Sequence, residues 1–396
     1  MKCVVVVGDG MADYPLDELG GKTPLQVARK PNMDRVAREG RSGLLESIPE
    51  GMQAGSDVAI LSILGYDPVR HYTGRGPIEA AALGVMLGRG DVAFRCNLVT
   101  LEGGVMVDYS AGHISNDEAK ALIEALNEEL GGGMVKFYSG VSYRNILVVS
   151  GVNFDGVECT PPHDITGMKV DDYLPRGEGS ELLLELIERS WRVLEGHPVN
   201  ARRIREGKRA ANSIWPWGQG RRPDLQSFEE RFGVRGAIIS AVDLVRGLGV
   251  LTGLRVVNVP GATGYYDTNY AGKGEYALRA LESVDFVLVH VEAPDEAGHA
   301  GDIENKVKAI EKIDSEILGK ILDGIERLDE DYRVAVLADH PTPIVKRTHT
   351  RDPAPVAVLS SCGDGDGVDG FDEFSVRKGS LGVMKGYNFM NFLIGR

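Results

Sequence analysis

Six side chains suited to divalent cations follow apolar, β-branched runs in this chain. Asp9 comes after the run at 3–7, and Asp295-x-x-x-His299 after the run at 286–291. Asp339 and His340 come after the run at 334–338, and His349 lies nine residues beyond His340. Carboxylates and imidazoles suit Mn²⁺, Zn²⁺ or Mg²⁺, and the set contains no thiolate. Three Asp and three His are too many for one tetrahedral site and suit a pair of ions. Singly, each has an ordinary reading. An Asp at a strand end caps a helix, a His is a structural group, and Asp and His four apart pair on a helix face. Their joint occurrence after three strands points to a metal centre. His290, inside an apolar run, reads as a core histidine.

A nucleophile is available at Ser56. Met52-Gln53-Ala54-Gly55-Ser56-Asp57 leads into a helix-like stretch at 58–64. Ser56 then lies near a helix N-terminus, where free amides and the dipole favour an anion. The alternative is a plain N-cap serine. A serine oxygen held beside a cation would attack phosphorus without a neighbouring base.

These groups need elements to hold them. Buried-strand runs at 3–7, 237–239, 255–259, 286–291 and 334–337 alternate with helical patterns. The clearest pattern spans 303–328, with Val307, Ile310, Ile313, Ile317, Leu318, Ile321, Leu322 and Ile325 on one face. Such alternation predicts a doubly wound, mostly parallel α/β sheet, whose strand carboxyl ends gather ligands. The middle of the chain differs. It offers helices at 116–130 and 180–195, the first capped by Asn116, a strand at 145–149, and Gly- and Pro-rich loops. The expected plan is a discontinuous domain, 1–70 with 233–396, interrupted by a smaller α/β domain at 71–232.

Composition narrows the function. The 396 residues carry 44 Lys and Arg against 58 Asp and Glu, a formal charge of −14. That balance disfavours nucleic acid and anionic membrane as partners. An anionic substrate would need a metal or clustered Arg and Lys. The four cysteines are scattered, without a C-x-x-C pair, as expected for reduced thiols in the cytoplasm. No apolar run approaches the ~18 residues of a membrane span. Three nucleotide or calcium signatures fail. Gly8-Asp9-Gly10-Met11-Ala12-Asp13 ends in Asp where a dinucleotide fingerprint needs Gly or Ala. Gly21-Lys22-Thr23 lacks the leading glycine of a P-loop, and Asp364-Gly365-Asp366 lacks the later ligands of a calcium loop. No nucleotide cofactor is expected.

Val6-Val7-Gly8-Asp9-Gly10-Met11, Ala54-Gly55-Ser56-Asp57, Ala293-Pro294-Asp295-Glu296-Ala297-Gly298-His299, Ala338-Asp339-His340-x-Thr342-Pro343 and Arg347-Thr348-His349 resemble the alkaline phosphatase superfamily. Gly74-Arg75-Gly76-Pro77, Gly112-His113-Ile114-Ser115, Pro161-Pro162-His163-Asp164, Ser213-Ile214-Trp215-Pro216-Trp217 and Gly264-Tyr265-Tyr266-Asp267-Thr268-Asn269 resemble its archaeal-type cofactor-independent phosphoglycerate mutases, over nearly the whole chain. The resemblance implies interconversion of 3-phosphoglycerate and 2-phosphoglycerate, with Ser56 as the nucleophile that becomes phosphoserine. It implies one metal held by Asp9, Ser56, Asp339 and His340 and another by Asp295, His299 and His349. Mn²⁺ is the expected ion, with Mg²⁺, Co²⁺ or Zn²⁺ as alternatives, and no bisphosphoglycerate is required. Lys273 would add positive charge at the transferring group. His113, Arg144, His163, Asp164, Arg203, Trp215 and Trp217 of the insertion would contact the substrate. A phosphatase of the same superfamily and a homoserine kinase-like relative are the alternatives, and a homo-oligomer is left open.

Overall fold

The computed structural model describes residues 1–328 and 330–395. The chain divides into two compact units, Met1–Tyr72 with Asp224–Arg396, and Thr73–Pro223. In chain order the strands are β1 (Lys2–Gly8), β2 (Arg41–Glu46), β3 (Asp91–Glu102), β4 (Val105–Asp108), β5 (Val135–Val141), β6 (Arg144–Ser150) and β7 (Ser213–Gly220). They continue as β8 (Gly236–Ile239), β9 (Arg255–Val256), β10 (Phe286–Val291), β11 (Tyr332–Leu337), β12 (Ala354–Ser360) and β13 (Gly382–Lys385).

The first unit is built on an eight-stranded sheet, ordered β13-β2-β12-β11-β1-β10-β8-β9. From β11 to β9 all neighbours run parallel. Only β12 runs antiparallel to its neighbours β11 and β2. This is the mostly parallel α/β sheet expected from the sequence. Strand β1 lies in its interior because Val4, Val5, Val6 and Val7 are all fully buried, each contributing about 1.5–3 kcal/mol. The register sets Val7 beside His290 and Leu337, and Ile239 beside Val289. Asp9, Ser240, Glu292 and Asp339 therefore follow four strand ends on one edge of the sheet. Of the run at 255–259, Arg255 and Val256 form β9, and Val257 N donates to Ile238 O of β8 at 2.9 Å.

The helical run predicted at 303–328 consists of Ile303–Lys312, a π-helical stretch Ile313–Leu318, and Gly319–Ile325. Its isoleucines pack into the main core with β1, β10 and β11. Asp314, in the π stretch, accepts from Met33 N at 2.7 Å and Asn32 Nδ2 at 2.9 Å. It thereby serves the start of helix Pro31–Glu39, whose own cap residue Lys30 provides no side-chain acceptor.

The second unit is α/β with an antiparallel sheet. Strand β3 pairs antiparallel with β4, β6 and β7, and β5 with β6. Helices Asn116–Leu130 and Ser180–Glu195 pack Leu122, Leu126, Leu183 and Leu186 into its core. The first helix is capped by Ser115 in a capping box with Glu118, not by Asn116. Asn116 instead accepts from Ser142 N at 2.7 Å. The second crossing between units falls at 223/224, earlier than the expected 232/233. Phe228 stacks on Phe286 of β10 at 4.8 Å and meets Phe232, which fixes that segment in the first unit. Among the described residues, no helix is long and apolar enough to cross a membrane.

Candidate functional site

The loop after β1 places Asp9 at the edge of the sheet, fully buried. Ser56 is the first residue of helix Ser56–Ile63, whose cap position is Gly55. Its hydroxyl makes no cap bond, so the plain N-cap reading does not hold. Ser56 Oγ lies 3.1 and 3.3 Å from the two Asp9 carboxylate oxygens and 3.2 Å from His340 Nε2. Asp339 Oδ1 accepts from Gly10 N at 3.1 Å and His340 N at 2.9 Å. Its Oδ2 is buried without a donor and lies 3.4 Å from His340 Nε2. Gly10 has a φ of +59°, and a Cβ there would come within 2.5 Å of Asp295 Oδ1 and Thr342 Oγ1. Only glycine fits this close approach.

A second cluster lies beside the first, with the His340 and His349 rings 4.4 Å apart. Helix Ala293–Ala300 presents Asp295 and His299 one turn apart. Asp295 Oδ2 is 3.2 Å from His299 Nε2, and Asp295 Oδ1 is 3.4 Å from His349 Nε2. His349 joins from the loop after β11.

The ring orientations test whether these residues fit cations. His299 Nδ1 is 2.9 Å from Arg347 O, and His349 Nδ1 is 3.2 Å from Ala54 O. Carbonyls only accept, so both rings carry a proton on Nδ1, which leaves Nε2 as the nitrogen that a cation would take in place of a proton. Those two Nε2 atoms face each other at 2.9 Å. His340 Nδ1 faces Thr342 Oγ1 at 3.3 Å, and that hydroxyl donates to Asp295. His340 therefore also turns Nε2 inward. Three imidazole Nε2 atoms and three carboxylates converge, with Asp339 Oδ2 orphaned among them, so the donor set fits two divalent cations. Asp9, Ser56, Asp339 and His340 would hold one ion, and Asp295, His299 and His349 the other.

The electrostatics agree. Burial, then the carboxylates of Asp339, Glu292 and Asp295, push Asp9 well above the usual carboxylate range. Burial also raises Asp295, but the His299 and His349 imidazoles outweigh it and hold this carboxyl well below its usual value.

The sequence did not single out Glu292, Ser240 or Thr342, and it read His290 only as a core residue. His290 is fully buried, yet its Nε2 lies 2.9 Å from Asp9 Oδ2 and its Nδ1 3.2 Å from Ser240 Oγ. Burial pushes its imidazole down to about 3. Glu292 Oε2 is buried without a donor, and burial pushes that carboxyl up to about 7. The available signals were slight: one polar residue in an apolar strand, and one carboxylate directly after it.

Lys273 is not among the clustered groups. It is buried on helix Tyr270–Leu281 and donates to His290 O at 2.9 Å, and burial lowers its ammonium to about 8. In the second unit, Trp217 gathers the candidate His163 and two arginines that were not among the expected substrate contacts. His163 stacks edge-on at 5.3 Å, Arg95 lies over the ring at 4.5 Å, and Arg75 at 6.0 Å. Arg144 is exposed beside Tyr143, and His113 contacts the same tyrosine. Asp164 Oδ1 is 3.6 Å from His163 Nε2. Arg203 is buried, with its guanidinium on Glu118, Ala111 O and Arg209 O. Trp215 is buried and donates to Thr160 O at 2.8 Å.

Comparison with known proteins matches a 2,3-bisphosphoglycerate-independent phosphoglycerate mutase family model at residues 37–200. A type I phosphodiesterase/nucleotide pyrophosphatase model matches residues 164–352. A protein of Methanosarcina acetivorans named 2,3-bisphosphoglycerate-independent phosphoglycerate mutase is 55% identical over 395 residues, covering 100% of each chain. A probable 2,3-bisphosphoglycerate-independent phosphoglycerate mutase of Geobacter sulfurreducens is 52% identical, again over 100% of both chains. Among solved structures, a cofactor-independent phosphoglycerate mutase from Thermoplasma acidophilum superposes with a TM-score of 0.69 at 31% identity, covering 100% of this chain and 99% of that one.

Proposed function

This chain belongs to the 2,3-bisphosphoglycerate-independent phosphoglycerate mutase family, and from that premise we propose that it interconverts 3-phosphoglycerate and 2-phosphoglycerate through a phosphoserine at Ser56. The observation that carries the reading is the Ser56 hydroxyl, 3.1 Å from Asp9 and 3.2 Å from His340, at the start of a helix and beside a second Asp–His–His cluster. Two divalent cations, when bound, supply Lewis acidity that stabilises charge on the phosphoryl oxygens and lowers the pKa of the serine.

The chain's own residues do the rest. Asp9 and His340 aim Ser56 Oγ, and the hydroxyl proton leaves as the new P–O bond forms. The substrate's ester oxygen departs with the old bond's electron pair and takes up a proton in exchange for the one Ser56 gives up, so that free glycerate forms. The helix start directs amide N–H groups at the developing phosphate dianion. Glycerate then presents its other hydroxyl to phosphoserine, and the same steps in reverse yield the isomer. We assign the grip on glycerate to the second unit, where Arg75, Arg95 and Arg144 stand among Trp217, His163 and Tyr143. Guanidinium groups of this kind hold carboxylates through paired hydrogen bonds. Excluding water is essential, because hydrolysis of phosphoserine would give a phosphatase.

Incubation with 3-phosphoglycerate and Mn²⁺, without bisphosphoglycerate or ATP, tests this reading. The expected product is 2-phosphoglycerate. Release of inorganic phosphate in its place identifies a phosphatase, and no conversion without ATP overturns the mutase reading.

A further inference from the structure

Four histidines lie at this edge of the sheet, and one is oriented differently from the others. His299, His340 and His349 each turn Nε2 toward the candidate cation positions because Nδ1 faces an acceptor. His290 faces Ser240 Oγ, and that oxygen already accepts from Val242 N at 3.0 Å. That bond uses one of two oxygen lone pairs, and the tautomer is set at the other nitrogen. In the two-cation reading Asp9 is an ionised carboxylate and only accepts, so the Ser240 hydroxyl hydrogen is free to donate to His290 Nδ1. The ring proton then resides on Nε2, which donates to Asp9 Oδ2 at 2.9 Å. All three side chains are buried, with Ser240 at 4% exposure and the other two at 0%. They come from the ends of three adjacent strands, β8, β10 and β1.

We propose that His290 is a positioning residue: the Val242–Ser240–His290 chain fixes one oxygen of Asp9, so that its carboxylate meets Ser56 and the first cation in a single orientation. This inference rests on the two-cation reading above. It also excludes a third ion held by Asp9, His290 and Glu292, whose polar atoms lie close enough for one. A protonated Nε2 offers a cation no lone pair. Partners of this kind beyond the ligands typically alter metal affinity by about 10–100-fold.

Mn²⁺ titration of the full chain, followed by the EPR signal of free ion, tests the proposal in the wild type and in His290→Leu, His290→Gln and Ser240→Ala. Wild type should bind two ions. His290→Leu should weaken one site by about 10–100-fold and leave the other unchanged. His290→Gln sets an amide N–H near the position of Nε2 and should restore most of that affinity. Ser240→Ala, which frees the tautomer without removing the ring, should show a smaller loss at the same site. Thermal melting of each variant separates misfolding from lost affinity. If His290→Leu misfolds, the comparison of Gln and Ala variants decides. Unchanged affinity at both sites in every folded variant, or a Gln variant as weak as Leu, overturns the positioning role alone. A folded wild type that binds no Mn²⁺ overturns the two-cation reading and the positioning role with it.

Discussion

His349 reaches the Asp295 cluster from the loop after β11, its ring held by the Ala54 carbonyl rather than by core packing. Substituting it should therefore damage the chemistry more than the fold. His349→Ala should lower mutase activity by roughly 1,000-fold or more, since a cation at phosphorus is worth several kcal/mol. The variant should still melt cooperatively. Near-wild-type turnover in a chelated and reloaded His349→Ala enzyme would remove His349 from the centre. The clustering of these carboxylates and imidazoles was legible in the sequence because their types are rare together and they follow strand ends. His290, Ser240 and Thr342 were not legible. Their parts depend on which ring nitrogen faces which oxygen, and on the register that brings β8, β10 and β1 level. Spacing along one chain carries neither. Likewise, Arg203 and Trp215 attract notice by type, but only the folded second unit reveals that Glu118 and two carbonyls accept from the Arg203 guanidinium and Thr160 O from the Trp215 indole.

The loops after β1 and β11 carry Asp9, Asp339, His340 and His349, and buried polar groups tie them down. Lys306, fully buried, donates to Asp13 Oδ2 at 2.7 Å and Thr342 O at 2.8 Å, linking the two loops. Glu373 accepts from Asp13 N at 2.9 Å and from Thr23 Oγ1 at 2.7 Å, and burial pushes its carboxyl up to about 7. Between the unfolded value near 4.5 and about 7, the folded chain binds more protons here than the unfolded chain. This group's contribution to stability therefore falls as pH rises through that window, by on the order of 3 kcal/mol in full. Urea unfolding at pH 5 and pH 8 should show Glu373→Gln losing less stability over the interval than wild type. Parallel curves would mean that Glu373 is not held protonated. The elements themselves were largely readable, since strong 3.6-residue and all-apolar patterns survive folding. The Asn116 cap was misread because Ser115, one residue earlier, completes a capping box. The π-helical stretch was invisible to periodicity, because Asp314 bonds to a distant helix start at Asn32 and Met33.

At the scale of the molecule, a discontinuous first unit, Met1–Tyr72 with Asp224–Arg396, surrounds in sequence a second unit, Thr73–Pro223, and the texture of the chain changes between them. The later boundary was misplaced because Phe228 and Phe232 look like any amphipathic turn until Phe286 is seen stacked against them. The antiparallel pairing of the second unit was not legible, since β3 pairs with three strands and only tertiary register decides which. The proposed function joins this plan to a mutase through one covalent step, in which the phosphoryl group would leave the substrate and rest on Ser56. The most direct measurement is acid quench during turnover of 3-phosphoglycerate with Mn²⁺, followed by peptide mass spectrometry. The added phosphate should lie on the peptide containing Ser56, and Ser56→Ala should carry none and lose turnover while remaining folded. A Ser56→Ala enzyme that still converted 3-phosphoglycerate to 2-phosphoglycerate at a comparable rate would contradict the phosphoserine route.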